Sequence, residues 1–321
     1  MKAAVTLIIF NRPETTRKVF EAIAQAKPKK LLIIADGPRP DRVGEAARCA
    51  AARAIVTAVD WDCEVLTNFA DANMGCRRRV VTGLNWVFEQ VEDSIILEDD
   101  CLPHPDFFPF CETLLDRYRD DTRIFGIGGT HFSSDRRWTG DSYYFSRYNR
   151  IWGWATWRRA WQHYDVDMKA LPAFLERPRE YVPTRAEARE WSILFRATES
   201  GEINTWDYQW QFAVLRNHGF TIAPNANLIT NIGFGPDATH TKNSKDRGAE
   251  IPIQGLGSLR HPTEIVCNTR ADQHYFRMMV YRSYRRRAHD SLARQWRALR
   301  HGLAQIFQRP GSWRSAGSRL S

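Results

Sequence analysis

The chain has 321 residues with ordinary apolar and charged fractions, which predicts a soluble globular protein of one large domain or two small ones. Its formal charge is +9, but eleven arginines and one acid lie from Arg277 onward, so the tail carries +10. The 276 residues before it are therefore close to neutral. A basic tail on a neutral body argues against a nucleic-acid-binding fold and indicates a tether to an anionic surface.

The six cysteines show no CxxC pair and no other metal-binding spacing. This usage predicts reduced, packed thiols and a reducing compartment. No apolar run approaches the roughly 20 residues that span a bilayer, and the first apolar run, residues 3–10, lacks a signal-peptide cleavage site before Asn11. We expect a cytoplasmic protein that can lie on the inner face of the cell membrane through its tail.

Apolar runs that suit buried strands alternate with helical segments through the first 130 residues. Strands are predicted at 3–10, 31–35, 63–68, 95–97 and 123–127, and helices at about 11–26, at 43–59 and up to Glu89. Strands that alternate with helices predict an α/β unit with a mainly parallel sheet. In such sheets, ligands bind at the carboxyl ends of the strands.

An acidic cluster follows the fourth predicted strand: Glu98, Asp99 and Asp100 come directly after Ile95-Ile96-Leu97. Carboxylates at the end of a buried strand are costly unless a positive charge neutralises them. Mg²⁺ or Mn²⁺ held by oxygen ligands would do so, and would also bind a substrate phosphate. The alternative is a strand end that runs into a solvated acidic turn.

Four motifs at strand ends together resemble a known family. The order Phe10-Asn11-Arg12, Asp36-Gly37, Asn73-x-Gly75 and Ile-Leu-Glu98-Asp99-Asp100 resembles the GT-A nucleotide-sugar glycosyltransferases over roughly residues 3–130. Their spacing looks family 2-like, and the Glu-Asp-Asp form looks like that of the N-acetylglucosaminyltransferase I group. The resemblance implies a GT-A, Rossmann-like, mostly parallel central sheet flanked by helices. It divides the chain into a nucleotide-sugar-binding half (1–130), an acceptor-binding and catalytic half of the same domain (131–268) and a basic amphipathic helical tail (269–321).

The resemblance also implies roles for individual residues. Asp36 would contact the base or ribose of the nucleotide, and Asp100 would be the ligand of an Mn²⁺ or Mg²⁺ ion. Arg78 and Arg79 would lie near the donor diphosphate, which a metal and an arginine together stabilise as it leaves. The further residues implied in donor binding are Asn11, Arg12, Asn73, Gly75, Glu98 and Asp99. Glu in place of the commoner Asp at position 98 weakens the expected ribose contact there.

Tryptophans crowd the start of the second half, at positions 152, 154, 157 and 161. The spacing of Trp154, Trp157 and Trp161 predicts one face of a helix. That face either packs into the core or offers a platform for the sugar rings of an acceptor. Trp152 and Trp154 are the predicted acceptor-binding residues, with Trp152 the better candidate because it precedes the helix.

Inverting glycosyl transfer needs a base that takes the proton of the acceptor hydroxyl. In GT-A enzymes this base is an acid that follows the metal motif, and Asp207, before an apolar helix predicted at 210–215, matches it. Glu202 is the reserve candidate, and the alternative for Asp207 is a helix cap. A late His often completes the metal site in the family, which suggests His240, with Asp237 a lesser candidate. A lone loop His is otherwise simply exposed.

The chain after Thr269 has a helical pattern with an apolar stripe and arginines mostly off it. The stripe consists of Leu292, Trp296, Leu299, Leu303 and Ile306. A basic amphipathic helix is typical of a membrane-surface element, because anionic lipid attracts each nearby basic residue by about 1 kcal/mol. The alternative is a terminal helix packed on the domain with a solvated arginine face.

These features together predict a metal-dependent, inverting glycosyltransferase. It would move a sugar from a nucleoside diphosphate sugar to a hydroxyl of a glycan or lipid-linked saccharide, as in polysaccharide biosynthesis, with no nucleic-acid partner. One alternative is a nucleotidyltransferase that makes the activated sugar. It would want a Gly-rich phosphate loop where this chain has Asn11-Arg12-Pro13. The other is a non-catalytic protein that binds membranes or anionic polymers through the tail, which leaves the acidic cluster unexplained.

Overall fold

A computed structural model describes residues 1–133, 136–233 and 251–281. In these residues the strands are β1 (Ala4–Ile9), β2 (Lys30–Ala35), β3 (Glu64–Phe69), β4 (Asp93–Glu98), β5 (Cys101–Pro103), β6 (Ile124–Gly128), β7 (Tyr143–Ser146), β8 (Trp154–Trp157), β9 (Phe220–Pro224) and β10 (Ile229–Asn231). The helices are α1 (Pro13–Ala26), α2 (Glu45–Thr57), α3 (Cys76–Gln90), α4 (Phe107–Arg117), α5 (Arg158–Trp161), α6 (Leu171–Glu176), α7 (Arg185–Glu199), α8 (Asp207–Arg216) and α9 (Thr269–Tyr275).

Eight strands form one mixed sheet in the order β3-β2-β1-β4-β8-β6-β9-β7. The first four are parallel, with Leu7 of β1 aligned between Ile33 of β2 and Leu97 of β4. Most side chains of β1, β2 and β4 are buried, because helices cover both faces of the sheet. The predicted α/β class with a mostly parallel central sheet is confirmed.

The sheet has a topological switch point between β1 and β4. From β1 the chain proceeds outward through β2 and β3, and then returns to the other side of β1 to form β4. The connections after β1 and after β4 therefore diverge to opposite sides at the same edge of the sheet. Open α/β sheets bind their ligands in the crevice that this divergence creates.

The prediction that Trp154, Trp157 and Trp161 share one helical face is wrong. Trp154–Trp157 is strand β8, which pairs antiparallel with β4, and only Trp161 lies in the short helix α5. Because side chains alternate along a strand, Trp157 packs in the apolar cluster that includes Leu97, while Trp154 packs in the cluster on the other face.

Two separate strands, β9 and β10, follow α8. The chain forms β9 at Phe220–Pro224, turns through 225–228, and resumes as the short strand β10. This strand pairs antiparallel with β5, so that Asn231 aligns with Cys101. Directly after it, the Ile232 amide donates to the Asp100 carbonyl oxygen at 2.8 Å. A distant part of the chain is thereby brought against the acidic cluster.

Residues 1–275 form one compact unit, and a second unit begins at Phe276. The described part of the second unit is a π-helical segment, Phe276–Tyr281. The proposed membrane-binding stripe, residues 292–306, lies outside the described residues. None of the helices in the described residues combines the length and the apolar character that crossing a bilayer requires.

Candidate active site

The side chain of Arg12, just after β1, reaches the acidic residues just after β4. Its Nη2 lies 2.7 Å from Asp99 Oδ1, and its Nη1 lies 2.8 Å from Asp100 Oδ2. Asp99 is buried, and its Oδ2 also accepts the Phe10 amide at 3.1 Å. Burial opposes the charge of the guanidinium, but Asp99 and Asp100 more than compensate and raise the pKa of Arg12. The two loops at the switch point are thus joined by a partly buried ion-pair network.

The acidic cluster contains more carboxyl groups than Arg12 pairs with. Glu98, the last residue of β4, has no ion-pair partner among the described residues. Burial, and then repulsion from Asp100 and Asp99, raises its pKa. Burial also raises the pKa of Asp99, although Arg12 acts against this. Three carboxylates around one guanidinium form a site that a further cation would stabilise.

The residues present fit a divalent ion of the Mg²⁺ or Mn²⁺ type. Carboxylate oxygens are the ligands these ions prefer, and such ions usually bind one or two carboxylates together with substrate phosphates. Within the described residues, no group of three His, Cys, Asp or Glu side chains could hold a metal by itself. Asp100 and Glu98 would therefore need further ligands to hold such an ion. His240 and Asp237, the predicted further ligands, lie outside the described residues.

Gly233 closes over the Arg12–Asp100 contact. A Cβ atom at this position would overlap Asp100 Oδ2 and would stand 2.6 Å from Arg12 Nη1. Only glycine lets the backbone approach the ion pair this closely. Sequence reasoning missed Gly233. Its approach to Asp100 depends on the pairing of β10 with β5, and no local sequence pattern predicts that pairing.

Asp36, after β2, has both carboxylate oxygens occupied by nearby N–H groups. Oδ1 accepts the amides of Gly37 at 2.9 Å and Met74 at 2.8 Å. Oδ2 accepts the amide of Gly75 at 3.1 Å and the side-chain amide of Asn73 at 3.0 Å. A carboxylate offers about four acceptor positions, and all four are used. Asp36 and Asn73 therefore shape the loop before α3, and Asp36 presents no spare acceptor to a base or ribose.

Glu45, at the start of α2, links the loops after β1 and β2. It is fully buried; its Oε1 accepts the Asn11 side-chain amide at 2.8 Å, and its Oε2 accepts the Arg39 amide at 2.7 Å. Hydrogen bonds from the Arg39 side chain lower the pKa of Glu45 to about 2. The Arg39 guanidinium also lies 5.6 Å from the centre of the Phe10 ring. Sequence reasoning missed Glu45; its only local signal was an acid in the first turn of a helix, after Gly44.

The two predicted diphosphate-binding arginines of α3 have different environments. Arg79 is buried, and donates from Nε to the Ala35 carbonyl at 3.1 Å and from Nη2 to Asn68 Oδ1 at 2.6 Å. It ties α3 to the strand ends below, so its predicted place at the donor diphosphate is wrong. Arg78 is exposed and borders a cavity of about 400 Å³. The cavity is lined by Met74, Gly75, Arg77, Arg78, Val81, Thr82, Asn85, Val166 and Asn204.

A second cavity of about 400 Å³ lies between the outer face of α1 and β5. Its lining contains none of the sequence-predicted site residues, and its polar walls are Lys18, Glu21 and Gln25. Neither cavity includes the acidic cluster itself. The cluster instead lies under Gly233.

Asp207 is the first residue of α8, and Trp206 occupies the N-cap position without a side-chain capping hydrogen bond. The alternative for Asp207, a helix cap, is therefore not observed. Its Oδ1 accepts a hydrogen bond from the Thr205 hydroxyl, and its charge contributes to the raised pKa of Glu98. Burial, then Glu98, then Asp207 raise the pKa of the Cys76 thiol to about 12. The fold thus places Asp207 within electrostatic range of the acidic cluster. Glu202 is exposed in the preceding turn.

The two predicted acceptor-binding tryptophans also differ. Trp154 is only 2 % exposed and stacks on Trp206 with ring centroids 5.6 Å apart, so an acceptor platform there is wrong. Trp152 is half-buried and lies 5.5 Å from the ring of Phe132. The β4–β8 ladder aligns Ile96 with Trp154. The ladder ends there, because Gly153, with a φ of 58°, lies outside the strand and separates Trp152 from it.

No protein-family model matches the chain, and no curated protein matches it. Similar solved structures include UDP-glucose pyrophosphorylase in complex with UDP-glucose, at 10% identity and a TM-score of 0.34 over 70% of this chain and 90% of that one. Mouse xyloside xylosyltransferase 1 is 10% identical, with a TM-score of 0.34 over 66% and 81%. The 4-diphosphocytidyl-2C-methyl-D-erythritol synthase of Anaerococcus prevotii is 10% identical, with a TM-score of 0.31 over 61% and 84%. Likeness at this level assigns no activity.

Proposed function

We propose that this protein transfers a sugar from a nucleoside diphosphate sugar to a hydroxyl group of a glycan or lipid-linked saccharide. The observation that carries the proposal is the meeting of Arg12 with Asp99 and Asp100 at the switch point between β1 and β4. Ligands of open α/β sheets bind there. A site that combines excess carboxylate with an arginine suits a diphosphate that arrives with a divalent cation.

Asp100 and Glu98 are the residues that would hold Mn²⁺ or Mg²⁺ together with the donor phosphates. When bound, such an ion stabilises negative charge on a leaving diphosphate. Arg12 is the protein cation beside it, and its planar fork of donors suits phosphate oxygens as well as carboxylates. Asn11 and Phe10 would border the nucleotide, held in place by Glu45 and Arg39.

Asp207 is the proposed base. It would take the proton of the acceptor hydroxyl as that oxygen forms a bond to the anomeric carbon of the donor sugar. The bond from that carbon to the diphosphate oxygen breaks, and its electron pair leaves with the nucleoside diphosphate. Attack opposite the leaving group inverts the anomeric centre. Trp152 and Phe132 would supply the aromatic surface on which an acceptor ring would stack.

Nucleotidyl transfer from a nucleoside triphosphate is the competing reaction. Enzymes that bind triphosphates at the first strand use a Gly-rich loop and the free amides of a helix N-terminus. Here only residues 10–12 separate β1 from α1, and Pro13 at the first position of α1 has no N–H to offer. This short connection favours glycosyl transfer over nucleotidyl transfer.

The test is a panel of UDP, GDP, CDP and dTDP, each with and without Mn²⁺, followed by thermal unfolding. A ligand that binds only the folded state raises the apparent stability. We expect one nucleotide to stabilise the wild type only with Mn²⁺, Asp100→Asn to abolish the effect, and Asp60→Asn to preserve it, because Asp60 is an exposed acid outside the site. If no nucleotide stabilises the wild type, the proposal is wrong.

The products then separate the two reactions. With the sugar form of the stabilising nucleotide and a saccharide acceptor, a glycosyltransferase releases the nucleoside diphosphate. A nucleotidyltransferase would instead release pyrophosphate from a triphosphate and a sugar phosphate. Asp207→Asn is expected to slow release of the nucleoside diphosphate by about 100-fold or more, as loss of a general base does, while nucleotide binding stays unchanged.

We further propose that the arginine-rich tail attaches the protein to anionic membranes. The support is its charge: eleven arginines and one acid from Arg277 onward. The full chain should float with vesicles that contain phosphatidylglycerol and not with pure phosphatidylcholine, and raised salt should release it. Equal binding to both vesicle types would contradict an electrostatic attachment.

A further inference from the structure

We propose that Arg12 is a built-in competitor of the metal ion at the acidic cluster, and that it makes metal binding depend on the donor. The inference rests on the proposed function, since it assigns a positioning role to Arg12 at the same site. Arg12 would then not only assist the metal ion in binding the donor phosphates. Here the arginine holds the oxygen that the metal would need.

The contacts of Asp100 carry the inference. Its Oδ2 lies 2.8 Å from Arg12 Nη1, and its Oδ1 lies 3.5 Å from the thiol sulfur of Cys101. Both oxygens are thus engaged within the described residues. Gly233 closes over Oδ2 so tightly that even a methyl group would overlap it. A cation that binds Asp100 through Oδ2 must displace Arg12 from that oxygen.

Arg12 cannot leave by losing its charge, because a guanidinium stays protonated in proteins. It can leave only by moving to another anion. Its second contact, Nη2 to Asp99 Oδ1 at 2.7 Å, can persist while Nη1 turns away, and the side chain is still 23 % exposed. The diphosphate of a donor, entering the crevice between β1 and β4, is an anion that fits the same fork of donors.

Donor and metal should consequently bind with positive coupling. The donor draws Nη1 of Arg12 off Asp100, and the freed carboxylate then holds the metal. By linkage, the metal must strengthen donor binding by the same factor. In the absence of donor, Arg12 keeps the cluster partly neutral and the metal affinity low. Such a device would keep the site from holding a metal before the substrate is present.

The experiment measures Mn²⁺ binding to the full chain, without nucleotide, from the electron paramagnetic resonance signal of free Mn²⁺. The variants are Arg12→Gln and, as a matched control, Arg123→Gln. Arg123 also forms a paired contact with an aspartate, Asp121, but on the exposed surface. We expect Arg12→Gln to bind Mn²⁺ at least about tenfold more tightly than the wild type, because the competing charge is gone. Arg123→Gln should match the wild type.

Arg12→Lys and a double variant sharpen the test. A lysine ammonium is a single point charge that cannot span both carboxylates as the guanidinium does, so Arg12→Lys should bind Mn²⁺ about threefold more tightly than the wild type. In Arg12→Gln/Asp100→Asn, the gain in affinity should disappear, because the shared oxygen is altered. Circular dichroism establishes that each variant is folded, and if Arg12→Gln is not, Arg12→Lys decides the question.

The outcomes separate this inference from the proposed function. If Arg12→Gln and Arg12→Lys bind Mn²⁺ no more tightly than the wild type, Arg12 does not compete with the metal, while the transferase proposal stands on its nucleotide panel. If the gain in Arg12→Gln survives Asp100→Asn, the metal does not use the oxygen that Arg12 holds, and the inference is wrong. If neither the wild type nor any variant binds Mn²⁺, both the inference and metal dependence are overturned.

Discussion

Replacing Asp36 with Asn distinguishes a residue that shapes a loop from one that binds nucleotide. Each of its carboxylate oxygens accepts two N–H groups, from Gly37 and Met74 on one side and from Gly75 and Asn73 on the other. An asparagine has one oxygen and one NH₂ group. Whichever way the amide turns, two donors lose their acceptor and face another donor.

The expected cost follows from these contacts. A hydrogen bond to a charged group contributes about 1.5–3 kcal/mol, and a buried donor left without a partner costs a similar amount. Asp36 is 7 % exposed, so water replaces little of what is lost. Two lost bonds amount to about 3–6 kcal/mol, a large part of the roughly 5–15 kcal/mol that stabilises a typical domain.

The assay is equilibrium unfolding in urea, followed by tryptophan fluorescence, on the wild type, Asp36→Asn and Asp60→Asn. We expect Asp36→Asn to lose about 3–6 kcal/mol of unfolding free energy. Asp60→Asn, which changes an exposed acid, should lose under about 0.5 kcal/mol. If Asp36→Asn instead keeps the wild-type stability and weakens only nucleotide binding, Asp36 contacts the nucleotide directly and our reading of the loop fails.

Three further changes test other parts of the structure. Gly233→Ala should weaken binding of Mn²⁺ and nucleotide by about tenfold or more, because its methyl group would overlap Asp100 Oδ2 and a binding site tolerates shifts of only about 0.5 Å. A titration that matches the wild type would contradict the close approach of Gly233 to Asp100. Trp154→Ala should lose about 3–5 kcal/mol of unfolding free energy, measured in urea, and a loss below about 1 kcal/mol would mean that Trp154 is not a core residue. The pKa of Glu45 is lowered from 4.5 to about 2 by Arg39, so the stability from this pair is present above about pH 4.5 and is lost as the pH falls toward 2. Because Arg39 is 44 % exposed, the loss should be only about 1–2 kcal/mol; thermal unfolding against pH should show it in the wild type and not in Glu45→Gln.

The sequence by itself determined the alternation of strands and helices and the chemistry of the strand ends. Hydrophobic runs and helix start signals are local, so β1, α1 and β2 begin and end within two residues of their predicted bounds. The parallel sheet follows from that alternation. The proximity of Arg12 to Asp99 and Asp100 follows in turn, because carboxyl ends of parallel strands share one edge.

Only the tertiary structure decided which of these polar residues remain available to a ligand. The spacing of the tryptophans predicts a helix at Trp154. Its segment instead pairs with β4, which lies about 60 residues earlier in the sequence, and local periodicity does not indicate such a pairing. Arg78 and Arg79 are neighbours in α3, but only Arg79 lies on the side of the helix that faces the sheet. The close approach of Gly233 to Asp100 depends on contact between segments far apart in sequence. The full set of hydrogen bonds to the Asp36 carboxylate depends on such contact too. The reason is physical: periodicity records the local backbone, whereas burial and hydrogen-bond partners depend on long-range packing.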